Sequence, residues 1–444
     1  MNINKIAASA AALALWALPA AAQTAPQPLS LGEAVQRAAT QTAGVAMAGE
    51  RTAQAEARVG QARGALLPQV SATSGMLNHT FNVDAMGITL PAAPGTTHEP
   101  LIGPVDQFDA RLHLRQALFA PADLLRARAA RTAVAGSEAE EELVAQTAAQ
   151  RAAGAYLAAA RAQATLQARE EDARLAGELL SLAEAQLEAG VSTGIDVVRA
   201  RTQKVTADGQ VLLARTAAEQ AQITLARAMG MAPDARFALT DGLEAAPVLG
   251  LVPAEADSAV AVALDRRPEL RQLAATTAAA QASRRAVRAE RLPRLDLVAD
   301  WGASGLHATD AIATRQIGVA VSLPIVDGLG HEARLREQDA RLREAALRAA
   351  DLRQQVTAEV DAALLSLATS AQQAQIADQR VQLAQEELSQ ARERFTSGVA
   401  GNVELIGAQA SLLHARDAVI EAHFAQSAAA VDLARAVGMA QEVR

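Results

Sequence analysis

The chain has no cysteine among its 444 residues. Disulfides, thiolate metal sites, a cysteine nucleophile and a lipid carried on an N-terminal cysteine are thereby excluded. Aromatic residues make up only 2 %, with one tyrosine, two tryptophans and six phenylalanines. So few cannot build a core of large side chains, which leaves closely packed helices of small residues, alanine above all. Proline is missing from two long windows, between Pro121 and Pro233 and after Pro324. Proline breaks helix interiors, so both windows are free to form very long helices. Beyond the N terminus no stretch approaches the roughly 18 uninterrupted apolar residues of a spanning helix. The net charge is −8. No basic patch with interleaved aromatics stands out, so nucleic acid is not an expected partner.

What is present begins with an export address. Lys5 supplies a positive start, Ile6 to Leu18 an apolar core, and Ala20-Ala21-Ala22 a cleavage site before Gln23, the pattern of a secretory signal peptide over 1–22. The rest reads as one unit written twice. Ala189-Gly190-Val191-Ser192-Thr193-Gly194-Ile195-Asp196-Val197 returns as Ser397-Gly398-Val399-Ala400-Gly401-Asn402-Val403-Glu404-Leu405, and Ala228-Met229-Gly230 returns at the same offset as Ala436-Val437-Gly438. Leu67-Pro68 returns as Leu292-Pro293. The two offsets differ, which places extra residues in the first copy between Pro68 and Ala117. A duplication of this size fixes the architecture before any local motif does. The expected division is 23–249 for the first repeat and 250–444 for the second. Each runs helix, strand pair, long helix, glycine turn and return helix.

Leucine and valine spaced by threes and fours predict helices over 122–189 and 195–229, then 329–396 and 402–437. Each repeat also starts with a shorter helix, 31–66 and 255–291, ended by Pro68 and Pro293. A helix of nearly 70 residues spans roughly 100 Å at 1.5 Å per residue. The two shorter helices of a repeat add up to about that length, which predicts that they stack end to end beside the long one in coiled-coil packing.

Between these helices the period changes to two. Leu295, Leu297, Ala299 and Trp301 oppose Arg294, Asp296, Val298 and Asp300; Ile317, Val319, Val321 and Leu323 oppose Gln316, Gly318, Ala320 and Ser322. In the first repeat Phe108, Ala110, Leu112 and Leu114 oppose Asp109, Arg111, His113 and Arg115, and 69–81 fits more weakly. Such segments have about the 9–11 residues of a tilted membrane strand. The proline- and glycine-rich stretch 82–106 reads as the loop joining the first pair. Four strands cannot close a barrel, and open edges are not tolerated in lipid. If the strands enter a membrane, several copies must share one barrel. Amphipathic hairpins capping a soluble helical rod are the other reading of the same alternation.

In this order the motifs resemble the TolC family of outer-membrane efflux channels over essentially the whole mature sequence. The junctions Leu67-Pro68 and Leu292-Pro293 carry the resemblance. So do Gln116-Ala117-Leu118-Phe119-Ala120-Pro121 and Leu323-Pro324-Ile325-Val326-Asp327-Gly328, Arg266-Arg267-Pro268-Glu269-Leu270, and the two glycine turns. The resemblance implies an α plus membrane β-barrel fold. Long coiled-coil helices would form a trimeric α-barrel, and four strands per chain would enter a shared 12-stranded barrel. It implies a homotrimer in the outer membrane of a Gram-negative bacterium, in contact with outer-membrane lipid and extending into the periplasm. Its role would be the exit duct of a tripartite efflux or type I secretion system. The tip turns, Gly190, Val191, Ser192, Thr193 and Gly194 with Gly398, Val399, Ala400 and Gly401, would then meet a periplasmic adaptor and an inner-membrane pump.

The barrel lumen would carry Asp109, Arg111, His113, Arg115, Asp296 and Asp300. Asp196 and Glu404 fall at equivalent places. Either they complement a helix N terminus or they ring a pore entrance, and the two roles are compatible. The family's gating tyrosine falls at Phe395 and its arginine at Ala400, while a second acid is replaced by Gly407, so that tie cannot exist here in the same form. No catalytic constellation emerges: His331-Glu332 lacks a second histidine at metal-site spacing, and no phosphate-binding glycine loop precedes a lysine. No enzyme activity, cofactor or metal is expected. The competing reading is a periplasmic coiled-coil adaptor or scaffold protein without channel activity, although nothing in the sequence reads as the biotinyl-lipoyl-like domain of an adaptor.

Overall fold

The computed structural model describes residues 27–87, 101–243, 252–253 and 255–444. The signal peptide expected over 1–22 lies outside the described residues. Both repeats form the anticipated long elements. In the first, α1 (Leu31–Gln41), α2 (Ala43–Gly64), strands β2 (Gln69–Asn82) and β3 (Leu101–Phe119), α3 (Pro121–Glu188) and α4 (Gly194–Ala228) follow the short strand β1 (Gln27–Leu29). Strand β4 (Phe237–Leu239) leads to the second: α5 (Ala256–Arg266), α6 (Pro268–Ala289), β5 (Arg294–Gly305), β6 (Ile312–Ser322), α7 (Gly330–Thr396) and α8 (Asn402–Ala436). Among the described residues no helix is long and apolar enough to cross a membrane.

At 68 residues, α3 is roughly 100 Å long. Its partners change along that length. Near the sheet Arg51 and Thr52 of α2 reach Glu140 and Glu141; farther on α1 packs against Ala149, Ala152 and Tyr156; toward the turn Arg201 of α4 meets Glu184. The shorter helices therefore stack end to end beside the long one. Of the 19 buried residues of α3, 12 are alanine, so backbones approach closely and little relief crosses the seam. The only tyrosine, Tyr156, is buried; its hydroxyl donates to Leu29 O at 3.1 Å and accepts from the Asp241 amide at 3.0 Å. Burial pushes its phenol up from the ordinary value. It pins the parallel pair β1–β4 to α3.

Two expectations are corrected. The leading helices 31–66 and 255–291 are each broken. Pro268 excludes the preceding residue from helix, and Arg267 is extended there with φ −65° and ψ 125°. In the first repeat Thr42 takes the same conformation without a proline. What the breaks share is a glycine docked against them. Gly230 (φ +73°) would place a Cβ 3.2 Å from Gln41 O, and Gly438 (φ +82°) one 3.2 Å from the Arg266–Arg267 backbone. The recurring Ala-Met-Gly and Ala-Val-Gly motifs thus fit two equivalent notches where only glycine has both the conformation and the room.

The second correction concerns the first hairpin. β3 starts at Leu101 instead of near 107, so much of the presumed loop is strand. Gly103 and Pro104 sit where the register shifts opposite His79 and Phe81, and proline is tolerated at a bulge because no ladder bond needs its nitrogen.

Charged pairs join the repeats. Arg169 of α3 clasps Asp417 of α8 with both oxygens at 2.7 Å and also meets Asp172, to which Arg416 adds a bond at 2.7 Å. Within the second repeat, Arg284 of α6 pairs with Asp339, and Arg291, just past that helix, with Glu332. Arg267, 2 % exposed, pairs with Glu359 and donates to Ala436 O at 2.9 Å. Burial pushes Glu359 up, but hydrogen bonds from Gln355 and Arg267 and the charges of Arg267 and Arg435 outweigh it and hold the carboxyl below its usual range. Its contribution is therefore full above the ordinary carboxylate range and is lost as pH falls through the depressed folded value.

Replacing Arg267 by alanine strands both Glu359 and the Ala436 carbonyl. The expected cost is about 3 kcal/mol, read as a lower denaturation midpoint of the purified protein at fixed concentration. The stability difference between the parent and Arg267→Ala should shrink in acid as Glu359 becomes protonated.

Candidate functional site

Strands β2, β3, β5 and β6 form one antiparallel sheet in that order. Residues directly opposite in an antiparallel ladder share a face, so the register assigns the two faces. His113 lies opposite Asp300, and Asp300 opposite Gln316; Arg111 lies opposite Thr73, and Asp109 opposite Gly75. All six charged residues singled out in the sequence share this face. The other face carries Val70, Ala72, Leu112, Leu114, Leu297, Trp301, Ile317 and Val319. Leu323, grouped with it in the sequence, lies just past the end of β6.

The acids and bases of the polar face pair with one another. Arg111 Nε donates to Asp109 at 2.7 Å; His113 Nδ1 meets Asp300, and its Nε2 lies 2.9 Å from Thr73 Oγ1. Asp296 is on the same face but is 3 % exposed, clamped by Arg115 at 2.8 Å and Arg294 at 2.9 Å. It therefore does not offer a free charge to solvent. Arg294 also binds Asp123 at 2.6 Å, Asp123 binds Arg126 at 2.6 Å, and Arg126 and Arg334 share Glu290. Sequence reasoning missed this chain of alternating charges, which locks the foot of the sheet to α3, α6 and α7. The opposite signs of Arg115 and Asp296 were visible, but only the strand register brings them together.

At the far end of the helices the two turns have the same hydrogen-bond pattern. Val191 and Ser192 donate to Gln186 O as Val399 and Ala400 donate to Arg394 O, and Gly190 and Gly398 both have positive φ. The turns touch, with Gly398 against the Val191 side chain. Gly194 and Gly401 open the return helices, Gly401 as the cap and Gly194 as the first residue.

Asp196 and Glu404 take equivalent backbone positions yet differ in environment. Asp196 accepts from the Thr193 hydroxyl at 2.5 Å, the Thr193 amide at 3.1 Å and Ser192 at 3.2 Å. The Thr193 hydroxyl foremost holds its carboxyl below the usual range. In the second turn the cap is Gly401, which has no hydroxyl, and Glu404 instead pairs with Arg394 at 2.9 Å on the surface.

Phe395 is buried among Leu179, Ala391, Leu405 and Ala408, where it packs three helices together. Its carbonyl accepts from Gln186 Nε2 at 3.0 Å, and buried Asn402 donates to Asp196 O at 2.8 Å. These two amide ties between the turns carry no sequence signal beyond the residue types.

The sequence profile of the family described as outer membrane efflux protein matches residues 34–231 and 259–439, once per repeat. The chain belongs to that family. Among solved structures, the outer-membrane channel CmeC of Campylobacter jejuni has 18 % identity and a TM-score of 0.75, covering 92 % of this chain and 86 % of its own. VceC of Vibrio cholerae has 19 % identity and a TM-score of 0.72, covering 92 % and 96 %. MtrE of Neisseria gonorrhoeae, an outer-membrane channel in its open state, has 18 % identity and a TM-score of 0.73, covering 92 % and 88 %. No curated protein matches the chain. The family sets aside the scaffold reading: this is an outer-membrane efflux protein, a channel in kind.

The contrast between the two acids gives an expected result. Asp196→Ala should lower stability by about 1 kcal/mol, the scale of a lost helix cap, whereas Glu404→Ala should cost no more than about 0.5 kcal/mol as an exposed pair. Denaturation midpoints of the two variants compare them directly. The Asp196 contribution should also fade in acid, because a depressed carboxyl loses its advantage as pH falls through its folded value.

Proposed function

We propose that three copies of this chain assemble around one axis into a continuous duct across the outer membrane and periplasm. The observation that carries this reading is the four-stranded sheet with β2 and β6 as free edges. In lipid the backbone groups of both edges must be paired, and joining β6 of one copy to β2 of the next does so. Three copies give twelve strands, within the range of membrane barrels. The apolar face then meets lipid, and the face with Asp109, Arg111, His113, Arg115 and Asp300 lines the lumen. Asp296 serves as a buried anchor of the barrel foot.

Support also comes from the helices. Val198, Val205 and Leu212 of α4 follow one another at heptad spacing, and Leu365, Ile376 and Leu383 run along α7; all are exposed. Stripes of this kind ask for a partner helix, and neighbouring copies supply it. The turns at Gly190–Gly194 and Gly398–Gly401 form the periplasmic end, where Val191, Val399, Ile195 and Val403 are exposed for an adaptor and, behind it, a pump. With Phe395 buried and Ala400 too small to pair, Gln186 and Asn402 hold the entrance in place of a tyrosine–arginine tie. Glu404 sits at this entrance as an exposed pair with Arg394. The channel does no chemistry; its work is a wet path sealed from lipid.

The strand faces give the test. Leu297→Arg should remove the chain from the outer-membrane fraction, since a lipid-facing arginine near mid-depth costs about 2–4 kcal/mol per copy. Gln316→Arg, on the opposite face of the same hairpin, should leave a detergent-stable trimer. Equal tolerance of both would overturn the assignment of faces, and a monomer in both would overturn the assembly.

A further inference from the structure

One cation breaks the pattern of the lipid-facing side. Arg315 lies directly opposite Trp301, whose other neighbour is Leu112, whose neighbour in turn is Ala72. The register therefore puts Arg315 on the apolar face. Among the described residues it makes no hydrogen bond or ion pair, and it is exposed, as is Trp301. Closing the barrel does not give it a partner. The strand that would lie beside β6 is β2 of the next copy, and Gln69–Asn82 contains no acidic residue.

An unpaired arginine on a lipid-facing surface is stable only at the headgroup level, and tryptophan is enriched there too. The geometry agrees. Below Arg315 the same face runs through Ile317, Val319 and Val321 to the end of β6, and the exposed Leu323, Ile325 and Val326 follow it in the chain. From Arg315 to the end of β6 at Ser322, followed at about 3.3 Å per residue and a ~45° tilt, the strand covers roughly 16 Å of membrane height. Above Arg315 the same face holds only Ala313 on β6 and Ala303 on β5, while Phe108 and the exposed Met76 continue it on β3 and β2. Arg315 and Trp301 are thus the last large side chains of the apolar face within β5 and β6, at the end of that hairpin remote from the helices.

We propose that Arg315, flanked by the ring of Trp301, binds the phosphate of an anionic lipid in the outer leaflet, one site per copy next to the seam with the following copy. The site rests on the membrane reading above. A guanidinium offers a planar fork for two phosphate oxygens, and the indole packs against the upper acyl chain.

The test uses the exported protein, extracted as the assembled species, in which cleavage before Gln23 leaves Trp301 as the tryptophan read. Native mass spectrometry during titration with phosphatidylglycerol should show retention about fivefold stronger than in Arg315→Gln, the scale of one basic residue at an anionic surface. Arg315→Lys should retain an intermediate amount, and phosphatidylcholine should bind all three alike. Equal phosphatidylglycerol retention by the parent and Arg315→Gln would overturn the proposal. So would a shift of Trp301 emission with inorganic phosphate alone, which would mark a free-anion site. Failure of the membrane reading looks different: in vesicles containing brominated lipid, Trp301 would escape quenching in parent and variant alike.

Discussion

The free edges of the sheet govern the molecule. Backbone amides and carbonyls on β2 and β6 have no water to turn to in hydrocarbon, and each left unpaired costs several kcal/mol. The chain has only two hairpins and cannot close on itself. In the proposed assembly, association is therefore part of its folding problem and not a later event. The remaining features follow from this demand: a face of alternating polarity on every strand, a charged clamp at the foot of the sheet, and helices long enough to carry the closed ring away from the bilayer.

Duplication provides the means. Each repeat contributes a hairpin, a long helix and two stacked shorter ones, and each fits its Gly230 or Gly438 turn into a notch in its own leading helices. The copies then diverged where geometry allowed. Thr193 caps one return helix and Gly401 the other, so the acid three residues on is tied down in one repeat and left on the surface in the next. The amide bonds from Gln186 and Asn402 run between repeats, linking the two copies where the helices turn back.

Much of this was legible in the sequence because its signals are local. Proline-free windows, glycine turns and period-two segments each act over a few residues, and they gave the long helices and both strand faces. What stayed hidden depends on partners far away in the chain. Thr42 breaks its helix because a glycine 188 positions later docks there. Asp296 reads as a free lumen charge until the strand register sets Arg115 beside it and Arg294 folds over it. The strand through Gly103 and Pro104 looked like loop, since a bulge depends on the opposite strand. Arg267 was visible only as part of a motif; its burial against Glu359 is a tertiary fact.

The alanine-rich seam of α3 has a mechanical consequence. Interlocking leucines would hold neighbouring rods in a single register, because sliding one past another would lift each large side chain out of its socket. A row of methyl groups has shallow corrugation, so shear along the rods meets a low ripple of energy while the spacing between axes stays small. Along such a seam it is the charged clasps among Arg169, Asp172, Arg416 and Asp417 that fix the register the methyl groups leave loose.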